Sequence, residues 1–240
     1  GSPRISWLTR TCAFTPLDYS KLVLEMTTPE YVDYFHALPE QRRNELVAEQ
    51  WRHYKGISSG TIEEIHEELY RRLAHHGETG VELRYGISAE TYREDRVGLS
   101  LTCRQRDTDT RFEHQTDFLV TATGYKHRST DFLEPLDGLV LRDRAGRFEI
   151  ARDHSIRTRD ELGGKIFVSN ADLHSHGVAA PDLGIGAYRS ATILNQVAGR
   201  TVFKLPEKTA FSQFFAPQAG SAPGLSEPIA DSTRAEGALF

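Results

Sequence analysis

Cysteine is nearly missing from this chain: two in 240 residues, Cys12 and Cys103, with no C-x-x-C pair. Neither a disulfide framework nor a cysteine-built zinc site follows from them, and a reducing cytoplasm is the expected setting. An excess of positive charge is also missing. Lys plus Arg is 29 against 34 Asp plus Glu, a net charge of -5, so the phosphate backbone of nucleic acid is not an expected partner. Long apolar runs are absent too. The longest, such as residues 118–122, fall far short of the roughly 20 that span a bilayer, and no charged-then-apolar leader opens the chain. No membrane partner is expected. What is present, 38% hydrophobic and 26% charged residues, sits near the globular average and away from the disordered corner. Gly1-Ser2 resembles a cloning scar, and a strand-like run follows at once without an initiating Met. A fragment is therefore expected.

Along the chain, residues 3–11 read as a short buried strand. Thr28-Pro29-Glu30 supplies a cap, a first-turn proline and an acid for a helix ending near Pro39, and a second helix follows to Trp51. Residues 52–60 show neither period and read as loop. Ile62, Ile65, Leu69 and Leu73 mark a third helix over 61–74. The pattern then changes to period two, predicting strands at 81–85, 97–103 and 112–115. Residues 118–122, Phe-Leu-Val-Thr-Ala, read as a strand buried on both faces that runs into Thr123-Gly124-Tyr125. Further strands are expected at 148–151 and 165–169, a helix over 183–197, and a disordered tail from about Pro217 to Phe240. The fold class is α/β.

Several clusters invite chemistry. Gly184-Ile185-Gly186-Ala187-Tyr188-Arg189 opens like a dinucleotide fingerprint, but Arg189 stands where a small residue is needed for close helix packing, so a glycine-softened helix start is the simpler reading. His174 and His176 lie two apart, yet no third ligand with a metal-site spacing is visible, and no metal is expected. The alternative is that these imidazoles cap a strand end or face a cofactor. Ser175 between them lacks the flanking glycines of a nucleophile elbow. The charged stretches 40–52 and 63–72 are solvated helix faces. Arg10, at the end of a strand expected to be buried, is a cation that needs an anion nearby. From the residues alone, this is an α/β domain with polar clusters at the ends of two apolar strands, where open α/β sheets bind ligands.

The run Asp117-Phe118-Leu119-Val120-Thr121-Ala122-Thr123-Gly124-Tyr125 resembles the ATGY motif of the flavin-dependent N-hydroxylating monooxygenases of siderophore biosynthesis, the lysine, ornithine and diamine N-hydroxylases. Two further blocks agree, one from Phe14 through Tyr31 and one from Asn170 through Ala191. The likeness covers about residues 5–217 and only the second half of that family's pattern. It implies part of a flavoprotein with two dinucleotide-binding domains. Residues 1–122 would be the remainder of the NADPH domain with a helical substrate-side insertion, 123–216 the C-terminal part of the FAD and substrate domain, and 217–240 a disordered tail. Both glycine fingerprints lie outside the chain, so the N-terminal half becomes an expected partner and the chain alone is expected to be inactive.

The activity implied is N-hydroxylation of a terminal primary amine by dioxygen, with FAD and NADPH as cofactors, in the cytoplasm and in an enzyme expected to oligomerise. No single catalytic side chain is implied, because the flavin carries the hard step. By the same resemblance Arg10 matches an arginine that contacts the NADPH adenosine phosphate, and Thr123, Gly124 and Tyr125 form the motif's cofactor turn. His176, Gly177, Leu183 and Gly184 match the segment that approaches the isoalloxazine and the substrate. Leu24 and His53 fall where the ornithine branch carries paired asparagines, and Lys55 lies in a block similar to lysine and diamine hydroxylases. Leu24 suits a decarboxylated substrate such as cadaverine or putrescine, with lysine left open. Ornithine hydroxylase or another class B flavin monooxygenase, and a non-catalytic, self-associating fragment, remain as alternatives.

Overall fold

Proline in a first turn and aromatic residues at helical spacing produce α1 at Pro29–Ala37, where the missing N–H of Pro29 would have been unpaired in any case. The computed structural model describes residues 4–96, 98–124, 130–159 and 163–216. Thr28 does not cap α1 with its side chain; its hydroxyl donates instead to the Glu25 carbonyl at 2.6 Å. Helix α2 follows at Glu40–Glu49 and leads into a single 3-10 turn, Trp51–His53, inside the stretch expected to be loop. Helix α3, Ser59–His76, starts where Ser58 Oγ accepts from the Thr61 N–H at 3.1 Å and stops at Gly77, whose φ of 73° favours glycine.

Strand β1, Ile5–Leu8, pairs in parallel with β2, Val81–Arg84, with Ile5 opposite Val81. The three helices form the crossover between them. The strand expected over 3–11 is thus shorter, and Arg10 lies beyond it, exposed. Beyond β2 the chain turns at Gly86, φ 66°, and enters an antiparallel meander of β3 (Ile87–Asp95), β4 (Gly98–Gln105) and β5 (Arg111–Thr116), in spatial order β3-β4-β5. Strand β3 was not legible in the sequence. Its register shifts between Ala89 and Thr91, and such a bulge breaks the alternation by which strands are read. Ile87, Leu101 and Cys103 form the meander's core, with Leu8 and Phe112 packed on it.

Residues 118–122 depart from expectation. They form no strand, and Phe118 and Val120 are 87% and 89% exposed. A strand buried on both faces exists only with neighbours on its edges and layers on its faces, and no described segment supplies either. The strands expected at 148–151 and 165–169 shrink to isolated bridges, Arg142 with Phe148, Ile150 with Ile156, and Ser155 with Phe167. The chain then makes α4 (Leu173–His176), a 3-10 turn (Gly177–Ala179) and α5 (Gly186–Ala198), which begins three residues later than anticipated. The tail expected over 217–240 and Tyr125 lie outside the described residues.

One core places the site. Tyr31 and Phe35 of α1, Leu46 of α2 and Val178 form a buried cluster on which Phe214 packs, and Val32 joins Ala179 and Ile185 in a second. The helical crossover therefore serves as the floor for residues 172–185.

Candidate functional site

The densest polar cluster is built on the turn 172–177. Asp172 is fully buried and its Oδ2 accepts from His154 Nδ1–H at 2.8 Å. His154 reaches it from a turn at φ 66°, a conformation uncommon for a side-chain-bearing residue and a frequent companion of function. The His154 and His176 rings stack, centroids 4.2 Å apart and planes 20° apart. His176 Nδ1 lies 2.8 Å from Ser175 Oγ and 3.4 Å from Asp172 Oδ2, and its Nε2–H donates to the Arg152 carbonyl at 3.3 Å. Burial, then the neighbouring His154, pushes the His176 pKa down to about 3 against the pull of Asp172, so the ring is neutral. Burial alone would raise the Asp172 carboxyl; the His154 hydrogen bond, and after it the neighbouring imidazoles and Arg189, more than reverse this and hold it below the usual carboxylate range. The second oxygen, Oδ1, is buried with no partner among the described residues.

This cluster bears on the sequence expectations. His174 and His176 do not act together. His174 donates its Nε2–H to the Phe148 carbonyl at 2.8 Å, because residues two apart on a helical turn face different ways. Ligand atoms of His154, Asp172 and His176 do lie within 4.8 Å of one another. Stacked rings keep their in-plane lone pairs in two nearly parallel planes, however, whereas an ion about 2.1 Å from both nitrogens in a tetrahedral site must lie close to both planes at once. The arrangement suits a carboxylate held by His154, with the neutral His176 ring stacked beside it. Ser175 is 3% exposed and donates to the Asp172 carbonyl at 3.0 Å, which leaves no attacking hydroxyl.

Gly177 follows with φ 66° and ψ -157°, a region open only to glycine. A Cβ there would stand 3.0 Å from two ring atoms of Phe35, so α1 sits directly against the turn. Arg43 of α2 ties the two together, donating from Nε to the His174 carbonyl at 3.2 Å and from Nη1 to the Leu38 carbonyl at 2.7 Å. From Gly177 the chain reaches Leu183, 87% exposed, and Gly184, also exposed. Arg189, 5% exposed, donates to the carbonyls of Ala179 at 3.1 Å and Ala180 at 2.7 Å, to Ser169 Oγ at 3.4 Å and to Asn170 Oδ1. A cavity of about 10 Å³, the size of a single water, lies between His154, His176, Val32, Tyr188 and Arg189.

The residues expected on the substrate side lie on two segments that are joined along another seam. Leu17 N–H donates to the Ile57 carbonyl at 2.7 Å and Asp18 N–H to the Arg52 carbonyl at 3.0 Å, fastening the segment before Leu24 to the loop carrying His53 and Lys55. Leu24 is 37% exposed on a 3-10 turn, Leu24–Thr27. His53 is half-buried with Nδ1 unpartnered among the described residues, and Lys55 lies over the Tyr54 ring at 5.4 Å. Thr123 and Gly124 are exposed in irregular chain. Arg10, exposed, lends its carbonyl to Arg106 Nη1–H at 3.0 Å; the burial that seemed to demand an anion is absent. His154, Asp172, Arg152 and Arg189 were not singled out beforehand as site residues. Asp172 and His176 at i and i+4 were a readable signal; His154, brought in by a bent loop, left none.

Residues 2–127 match the L-lysine 6-monooxygenase/L-ornithine 5-monooxygenase family, more than half of the chain. The chain belongs to this family. It is 38% identical over 215 residues to the putrescine N-hydroxylase of Shewanella oneidensis, covering 89% of the chain and 42% of that protein. It is 38% identical to the rhizobactin siderophore biosynthesis protein RhbE of Rhizobium meliloti, covering 91% and 49%. Among solved structures it resembles the FAD-bound cadaverine monooxygenase DfoA of Erwinia amylovora, of the desferrioxamine pathway, with TM-score 0.81, 37% identity, and 90% and 49% coverage. This family member thus spans about half the length of the relatives it matches. The architecture is that of the family's α/β flavoproteins in part. No helix among the described residues is long and apolar enough to cross a membrane.

Proposed function

We propose that this chain supplies the C-terminal part of an FAD- and NADPH-dependent enzyme that N-hydroxylates a terminal primary amine, a diamine such as cadaverine or putrescine or else lysine, for hydroxamate siderophore assembly in the cytoplasm. The observation that carries this reading is the joint match in fold and identity to a cadaverine monooxygenase over nine-tenths of the chain. Residues 1–122 would then complete the NADPH domain and 123–216 the FAD and substrate domain.

The residues present fit the cofactor. Leu183 offers an exposed apolar side chain on a loop flanked by glycines, a surface that a flat ring covers. Gly177, Leu183 and Gly184 would lie against the isoalloxazine with His176 behind them, Thr123, Gly124 and Tyr125 would form the cofactor turn, and Arg10 would meet the NADPH adenosine phosphate. When bound, the flavin, reduced by NADPH, activates dioxygen and supplies the oxygen atom. The chain's own work is to hold the amine and keep water out. His176, kept neutral by burial, adds no positive charge that would repel an ammonium group. His53 Nδ1 is enclosed and without a partner among the described residues, and with the ring turned toward the seam it would accept from an amine N–H. Leu24 gives an alkyl chain an apolar contact and offers a carboxylate nothing, which favours a diamine. Lys55 favours the second substrate, since a cation on that seam suits the carboxylate of lysine and repels the far ammonium of a diamine.

The test is to supply in trans the part of the FAD-bound Erwinia cadaverine monooxygenase that this chain does not match and measure NADPH-dependent hydroxylamine formation from cadaverine, putrescine, lysine and ornithine. Turnover of a diamine or lysine well above ornithine is expected. Absence of product from all four amines with flavin bound would overturn the proposal.

A further inference from the structure

The residue that spoils the dinucleotide fingerprint makes four side-chain hydrogen bonds in the structure. Arg189 is buried in the first turn of α5, where the helix dipole disfavours a cation, and its hydrogen-bond partners are all neutral oxygens. A guanidinium in that setting is costly unless its donors are filled. The four donors on Nη1 and Nη2 are filled from two segments at once. Ser169 and Asn170 precede the Asp172–His176 turn, and Ala179 and Ala180 open the loop that carries Leu183 and Gly184. Asn170 itself sits at φ 65°, a conformation that persists in a non-glycine residue when its surroundings hold it there. Beyond Ala180 the loop is tied mostly within itself. Ile185 is buried at its end, but Pro181, Leu183 and Gly184 are exposed; the Gly186 N–H donates to the Leu183 carbonyl at 3.0 Å, the Gly184 N–H to Asp182 Oδ1, and the Asp182 N–H to the Ala179 carbonyl at 3.2 Å. That carbonyl is one of the two gripped by Arg189.

We infer that Arg189 is a positioning residue that clamps the loop 179–186 against the 169–170 segment, so that Leu183 and Gly184 are presented in one shape and oxygen transfer to the amine stays coupled to NADPH oxidation. The inference rests on the proposed amine hydroxylation. In the coupled reaction, amine, dioxygen, NADPH and a proton give hydroxylamine, NADP+ and water. In the uncoupled one, dioxygen, NADPH and a proton give hydrogen peroxide and NADP+. A looser loop admits water and shifts the balance to peroxide.

The experiment has two arms. Amide hydrogen exchange is followed on the 240-residue chain for wild type, Arg189→Met, which keeps the volume and removes every donor, and Arg189→Lys, which keeps the charge and loses the fork. Exchange at Ala180 and residues 182–186 is expected to rise at least about tenfold in Arg189→Met and by less in Arg189→Lys, with α3 unchanged. If Arg189→Met does not fold, the lysine variant alone must show the rise. In the complemented, flavin-loaded protein, peroxide released per NADPH is expected to increase several-fold while the amine KM stays within about twofold, with Arg189→Lys partly restoring coupling. Unchanged exchange at 182–186 would overturn the clamp. Faster exchange with unchanged coupling would reduce Arg189 to a fold anchor and overturn the positioning role. Absence of hydroxylation in wild type would sink the amine reading and the coupling role with it, a failure the exchange data separate from failure of the clamp.

Discussion

Gly177 is where the site tolerates least. Its φ and ψ exclude any side chain, and the space a Cβ needs is taken by the Phe35 ring. Gly177→Ala is expected to lower stability by about 2–4 kcal/mol, strain and overpacking combined, measured by urea denaturation. A loss under about 0.5 kcal/mol would mean the turn relaxes freely. His176 yields a pH prediction. Its ring must take up a proton when the chain unfolds below pH 6.5 but stays neutral in the fold down to about 3, so stability is full above about 6.5 and falls as pH drops through that window. Between pH 7 and 5 this amounts to about 2 kcal/mol, and His36 and His174, also pushed down first by burial, act in the same direction. Denaturation midpoints against pH should show the slope, and His176→Asn should flatten it; an equal slope in the variant would assign the effect elsewhere. At this scale the motif drew attention to the His176-Gly177 pair, whose site role stays a proposal. The partners that neutralise and wedge it, His154 and Phe35, are far away in sequence and were not legible.

Among the elements, the helices were read closely, because their periodicity and caps are local. Strand β3 and residues 118–122 were misread in opposite directions for one reason: strands depend on what lies beside them. Glu90, at the bulge of β3, accepts from Arg111 Nε of β5 at 2.9 Å across the middle strand β4, so a charge stands where apolar alternation would mark a strand. The strap 209–215 is another element set by distant partners. Glu25 accepts from the Phe211 N–H at 3.1 Å, the Ser212 N–H at 2.8 Å and the Ser212 hydroxyl, while Glu30 accepts from the Ala210 N–H at 3.0 Å and from Thr209. Phe214 then packs edge-on against Tyr31. Glu25→Ala is expected to strand two backbone donors and free the strap, read as faster chymotryptic cleavage after Phe211, Phe214 and Phe215. The Ser212 hydroxyl, foremost, holds the Glu25 carboxyl below its usual range. Its contribution is therefore present above the ordinary carboxylate pKa and lost as pH falls through the lowered one. Cleavage rates equal to wild type would show that the aromatic contacts alone retain the strap.

For the molecule as a whole, the exposed residues 118–122 have a consequence that depends on neither substrate nor cofactor. Phe118, Leu119 and Val120 lie in an uncharged stretch of high β-propensity, Phe118 and Val120 with most of their surface in water and Leu119 with about two-fifths of it, the composition that seeks another strand or another chain. The parallel pair β1-β2 adds to this, since two-stranded sheets are marginal and parallel ones are ordinarily covered on both faces; Ile5 is 56% exposed. The relatives are about twice as long as this chain, so their sheet has room for layers that the described residues lack. The 240-residue chain by itself is expected to associate with rising concentration in light scattering. Val120→Lys should suppress that association, because a charge at the centre of the run opposes edge pairing without touching either core. Adding the FAD-binding region of a relative should suppress it too, provided that region supplies the missing neighbours. Wild-type chain that stays monomeric would show the stretch is protected in solution, and association that persists in Val120→Lys would move the responsible surface to the β1-β2 pair.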